Sequence, residues 1–586
     1  MRELRKLSSL RLPTLSTVAV CFGTALLSGL LLTLSVGRVT AADYTNNATG
    51  NYNASIWDPS GNPAGTTADN VVVTNGTVTL NVAYAATNDT INVVNDGVLS
   101  LPSSSFRLSG TTLILNSGGT LTMTPATAAL MGAVIRLNGG VISNASIGTT
   151  TYLMGGEFQV WDSSTITHRQ SGGSPIFSYG SLDFVAANKT LTLGSEVAAT
   201  GAATFRFDSV TITNDATVAL ARQGGTGVQV QFADVTLNST RTLFITNTTG
   251  NAATMTFLGG NPNMLGTVDI RAGAIVTPGA SNAMGSAFVA VNEGGILFLN
   301  TIYGLSGNTV SLNQGGLMNL PTVLFTAQPS GYLSNAVVRL NGGTLLYSAT
   351  GSSGTKVPGG ELQVWDDSTM EAAVGAGQVY INDKLDFTVG GKTLTLLKSA
   401  GVGGLFTFRM SAAVVTNNGT LVFSTAAGLL MDARFDGLEG SVGSTLTLTN
   451  ATGAGTGTLT VSGNNSGMLG GLDLRSGVVV NVITSNALGR AAVTINNGGT
   501  LNVNVAFGLS SGTTNTINSG GVLTVDTTAN TLTGAVVRLN GGTLFYTADH
   551  GNVTRTPMAV LQVLDDSTIT NLAGNGALSG GWVNQS

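Results

Sequence analysis

The phrase AVVRLNGGT at residues 336 to 344 is written three times in this chain, returning as AVIRLNGGV at 133 to 141 and AVVRLNGGT at 535 to 543. Its arginines, Arg136, Arg339 and Arg538, lie 203 and 199 residues apart. A chain that restates itself over such distances buries each copy against its neighbours rather than around one globular centre, so the period has to be read before any site. Other phrases keep the same step. LDF at 182 to 184 returns at 385 to 387, KTLTL at 189 to 193 returns at 392 to 396, and MLGTVDIRAG at 264 to 273 returns as MLGGLDLRSG at 468 to 477. EFQVWDSSTIT at 157 to 167 becomes ELQVWDDSTME at 361 to 371 and VLQVLDDSTIT at 560 to 570. The chain therefore holds two complete repeats of about 203 residues and the opening half of a third.

A shorter beat runs beneath the long one. Gly76, Gly97, Gly119 and Gly140 are spaced 21, 22 and 21 residues apart, and Gly295 with Gly316, and Gly499, Gly521 and Gly542, renew the spacing. Each glycine closes an Asn/Asp/Gly turn and is followed by residues that alternate apolar and polar, such as Val78 and Leu80, which is the two-residue period of a strand with one buried face. Only 9% of residues are charged and Gly numbers 80, a palette for strands and turns rather than for helices or disorder. These features predict an all-β fold, a right-handed parallel β-helix over residues 70 to 586 with coils of 21 to 22 residues. At the usual strand separation it would be a rod of roughly 120 Å built from ~25 coils. Residues 42 to 69, with Trp57 and two prolines, read as an irregular entry segment that caps the first open edge. The third copy stops at GGWVNQS, which is expected of a piece of a longer array or of an end covered by a partner.

Arg2, Arg5, Lys6 and Arg11 precede an apolar stretch at 14 to 36 and small residues at Val39 and Ala41. This pattern predicts a signal helix over 1 to 41 with cleavage after Ala41, an uncleaved anchor being the alternative. Cys21, the single cysteine, lies inside that segment, so the mature chain is expected to use neither disulfides nor thiols. Residues 1 to 41 carry five Lys/Arg and one Glu of the chain's 24 and 29, which leaves 19 basic against 28 acidic residues, a balance of -9. With no basic run after Lys6, a nucleic-acid partner is not expected.

SNALGRAAVTINNGGTLNVN at 485 to 504 resembles the autotransporter-associated β-strand repeat of bacterial surface proteins, and SNAMGSAFVAVNEGGILFLN at 281 to 300 matches it nearly as well. The opening NYNASIWDPSGNP is similar to the Trp-containing start of such chains. The resemblance implies an exported passenger with a parallel β-helix, extracellular or held at the bacterial cell surface in association with the outer membrane. The chain departs from an autotransporter in lacking a translocator barrel of membrane-spanning strands.

Chemistry has few candidates. Asp366 with Asp367, echoed by Asp565 with Asp566, is the most suggestive carboxylate pair, but neighbours on a strand point to opposite faces and Asp162 is followed by Ser163 in the first copy. A solvated turn is the expected setting. Asp183 and Asp386, and the arginines 136, 339 and 538, recur with the scaffold and are expected in turn hydrogen bonds or stacked ion pairs. Arg339 in particular should pair with a carboxylate of an adjacent coil. Trp161 and Trp365 could form an exposed row that stacks on sugars, but a position in the core or in a groove is expected, because Leu564 replaces them in the third copy. His168 and His550 stand far apart without clustered carboxylates, so no catalytic, metal or cofactor residue is assigned. The expectation is a non-enzymatic, adhesin-like rod presenting Thr, Asn and Ser to a polysaccharide or cell-surface ligand. The alternative is a β-helical polysaccharide lyase or hydrolase.

Overall fold

The computed structural model describes residues 43 to 584, apart from 47, 52–56, 59–69, 81–88, 103–107, 125–128, 146–149, 170–172, 197–201, 223–226, 250–252, 322–330, 349–353, 374–376, 400–404, 426–429, 452–454, 510, 526–531, 533, 548–558 and 572–581. Residues 1 to 41, where a signal helix is expected, and most of the entry segment lie outside the described residues.

From Asp43 onward the chain is a parallel β-solenoid in which each coil contributes one rung to each of two long sheets. Alternation along the strands decides the architecture. In Thr120–Met123 and Val141–Asn144 every second residue is buried and the others face outward, so each sheet has one wet face and one dry face. The dry faces meet. Val78, Leu99, Leu121, Ile142, Ile166, Leu193 and Leu220 occupy one register column of the second sheet, and all are fully buried. Burying a Leu or Ile stabilises by about 1.5–3 kcal/mol, so such columns hold the stack together without covalent links.

The Gly-Gly pair at the turn performs two tasks. Gly118 has φ +80°, a conformation that L side chains rarely adopt, whereas a Cβ on Gly119 would lie 2.2 Å from the carbonyl oxygen of Val93 in the preceding coil. The first glycine reverses the chain and the second lets two coils touch.

Coil length departs from the expected 21 to 22 residues. Register partners are 20 residues apart at Asn70 and Thr90, but 28 apart at Ile176 and Thr204 and again at Gln378 and Phe406. The longer coils enclose a wider interior, and aromatic rings fill it. Tyr179, Phe207, Phe232 and Phe257 stack in register with centroids 5.1, 5.8 and 6.2 Å apart. The entry also differs from the boundary drawn at residue 70. Asp43, Tyr44 and Thr45 already pair in parallel with Asn70, Val71 and Val72, and Trp57–Asp58 runs antiparallel to Thr45 and Asn46.

The long repeat spans a half-integral number of coils. After Val134–Asn138 in the first sheet come eight further rungs of that sheet and nine of the second, the last being Val337–Asn341, which makes seventeen half-coils. From Val337–Asn341 another seventeen half-coils lead to Val536–Asn540, back in the first sheet. Equivalent residues of successive copies therefore face outward from opposite sheets.

Candidate ligand-presenting surface

One β-bulge recurs at the same place in all three copies. Leu137 pairs with Val160 and Asn138 with Asp162, so Trp161 is the extra residue between them. Trp365 is the extra residue between Val364 and Asp366, and Leu564 between Val563 and Asp565. A bulge re-aims the inserted side chain, and here it aims outward. Trp161 is 43% exposed, Trp365 38% and Leu564 46%, which corrects the expectation of a core or groove position.

A set of polar side chains surrounds each indole. Trp161 Nε1 donates to Gln159 Oε1 at 3.2 Å, and Gln159 Nε2 donates to Glu157 Oε1 at 2.7 Å. The second copy repeats this from Trp365 to Gln363 at 3.1 Å and from Gln363 to Glu361 at 3.0 Å. The guanidinium of Arg136 lies 5.9 Å from the centre of the Trp161 ring, and that of Arg339 lies 5.0 Å from the centre of the Trp365 ring. This is cation–π contact. It replaces the ion pair expected of Arg339, whose Nε is buried with no hydrogen-bond partner. In the third copy, where Leu564 brings no indole N–H, Arg538 Nε takes the acceptor itself and donates to Gln562 Oε1 at 2.8 Å.

Asp183 and Asp386 complete the columns, in register with Gln159 and Gln363. In the second copy Lys384 sits between the acids and donates to Glu361 at 3.2 Å and Asp386 at 3.1 Å. Burial lowers the Lys384 pKa, but the hydrogen bonds and charges of Asp386 and Glu361 outweigh it and hold the ammonium above its ordinary value. Glu361 is held below the usual range by the hydrogen bond from Gln363 and then by Lys384. Ser181 stands in the lysine's place in the first copy. There burial, with the Glu157 charge added, pushes Asp183 up, and one of its carboxylate oxygens is buried without a partner.

The other recurring residues belong to the scaffold. Ser164 Oγ accepts the N–H of Gly139 at 2.9 Å and donates to the carbonyl of Asp162 at 2.9 Å. Ser368 with Gly342 and Asp366, and Ser567 with Gly541 and Asp565, make the same staple between coils. The carboxylates of Asp162, Asp366 and Asp565 each cap the next backbone N–H, and the first two also pair with Lys189 at 2.9 Å and Lys392 at 2.7 Å. Asp367 Oδ1 accepts the N–H of Thr393 at 2.8 Å. These acids serve turns and rungs.

His168 is buried in the corner column of the second sheet, between Asn144 and Ser195, with its ring 5.2 Å from that of Phe177. Asn144 Nδ2 donates to the Tyr179 hydroxyl at 3.0 Å, a polar interior contact that no spacing in the sequence reveals. His550 lies outside the described residues. Among the described residues no group of three or more His, Cys, Asp or Glu is placed to hold a metal ion.

No family model and no curated protein matches the chain. A solved structure described as the crystal structure of a TibC-catalysed hyper-glycosylated TibA fragment, residues 55–350, matches at 17% identity, covering 85% of this chain and 99% of that one. The TM-score is 0.12, a value that describes no common superposition.

Proposed function

We propose that this chain is an exported, surface-displayed rod that spaces and presents adhesive surface and does no chemistry of its own. The observation that carries the reading is the duplication of one outward-facing polar and aromatic set on a stack whose other recurring residues serve the coils. Rows of such contacts, each weak, sum by avidity along a solenoid. The amino-terminal pattern supports export, and the resemblance to passenger repeats supports display at a bacterial surface. The ligand class that suits the reading is a polysaccharide or another cell-surface ligand. The test is protease shaving of intact cells making the full chain, together with incubation of purified chain with polysaccharides. Peptides from the solenoid should be released from intact cells, and polymers should be retained without being cut.

One observation favours the enzyme reading. Glu157 and Asp183 form an acid pair without the cation that neutralises the second copy, and Asp183 is pushed toward its protonated form. Release of sugar fragments by the purified chain, lost in Glu157→Gln or Asp183→Asn, would replace the rod with a carbohydrate-active enzyme.

A further inference from the structure

We propose that the Trp161 and Trp365 sets are two glycan-binding subsites on opposite sheets, by which one rod bridges two strands of a neutral polysaccharide. The inference rests on the reading of the chain as a presenting rod and adds the ligand's chemistry and its geometry.

Two observations converge on it. Each indole is aimed outward by a bulge and keeps about two fifths of its surface exposed, with a guanidinium against it. Neither Arg136 nor Arg339 has a hydrogen-bond partner for its guanidinium among the described residues, and in both copies the indole N–H donates to the glutamine oxygen that Arg538 uses in the third. An exposed apolar ring beside a guanidinium is the chemistry that holds a pyranose, whose C–H face packs on the ring while its hydroxyls accept from the planar cation. Charge selects the neutral class. The chain beyond residue 41 carries -9, and neither set has surplus cations to hold a polyanion.

The seventeen half-coils place these subsites on opposite sheets, about 40 Å apart along the axis at the usual strand separation. A single polymer strand running along one sheet would meet only one of them. The third copy, with Leu564, is a natural blank on the first sheet and shows that leucine is accommodated at the bulge.

The test uses the full chain carrying Trp161→Leu, Trp365→Leu or both, with dextran, mannan and xylan as neutral probes and polygalacturonate as the anionic one. Binding is read by retardation in affinity electrophoresis, which needs no tryptophan reporter, and bridging by light scattering at high polymer mass. The original chain should bind at least one neutral probe and raise scattering. Each single variant should still bind but lose the scattering rise, and the double variant should bind about tenfold more weakly or not at all. Circular dichroism should be unchanged in all of them. No binding to any neutral probe, preference for polygalacturonate, or scattering retained in both single variants would overturn the proposal. Failure of surface display would count against the rod reading while leaving this result readable on purified protein.

Discussion

At the scale of single residues, the two copies of the presenting set form an internal control for charge. Ser181 and Lys384 occupy the same place, and only the lysine neutralises its two acids. Ser181→Lys is expected to stabilise the first copy by about 0.5 kcal/mol, in line with a partly exposed ion pair, as read by thermal or urea unfolding. The pH dependence follows from Asp183. Its folded pKa is raised above the ordinary carboxylate value, chiefly by burial, so protonation favours the folded state, and stability falls as pH rises from the ordinary value through the folded pKa. The gain from lysine should therefore be largest above that window and vanish below it. A gain undiminished at acid pH would show that the lysine acts by packing. Gly119 makes the sharpest steric case. Gly119→Ala would set a methyl 2.2 Å from a backbone oxygen and is expected to cost about 3 kcal/mol, whereas a near-neutral result would mean that the coils can part locally.

At the scale of strands and turns, stability is shared between coils rather than held inside them. Asn292, Asn313 and Asn341 pass amide hydrogen bonds along one corner at 2.7 and 2.9 Å, and Asp269 accepts the last amide at 2.6 Å. Asn496, Asn518 and Asn540 repeat the ladder from the other sheet at 2.7 and 3.0 Å. The serine staple explains why LNGG and the Asp-x-Ser phrase recur together in all three copies, since the glycine of one coil needs the serine of the next. Ser368→Ala should leave the Gly342 N–H unpaired and cost about 1–3 kcal/mol, with faster amide exchange at Gly342 than at Gly139. Equal exchange at both glycines would show that water replaces the hydroxyl.

At the scale of the molecule, the strands, the turns and the parallel stack were legible in the sequence because each is fixed by neighbours a few residues away. Val78 and Leu80 declare a buried face, and Gly118 and Gly119 declare a turn. What was not legible depends on how coils meet. The bulge that turns Trp161 outward shifts the register by one residue, and Leu564 at the same place suggested burial when both residues are exposed. The coils between residues 176 and 204 widen behind an aromatic filling that reads only as a lapse in the glycine beat. A carboxylate partner is what the sequence suggests for Arg339, but its guanidinium lies over the indole that the bulge delivers, 5.0 Å from the ring centre.

The odd count of half-coils also bears on how such an array changes by recombination. Two copies that cross over in phase delete or insert one whole repeat, and the reading frame of the stack survives because both ends of the unit are the same motif. Everything beyond the junction, however, is carried to the other side of the rod. Loss of one copy thus inverts the downstream surface, loss of two restores it, and a lineage that varies its repeat number in single steps alternates which side of each surviving module faces a given neighbour. The steps from Arg136 to Arg339 and from Arg339 to Arg538 differ by four residues yet keep the same seventeen half-coils, so this parity survives length drift at the corners.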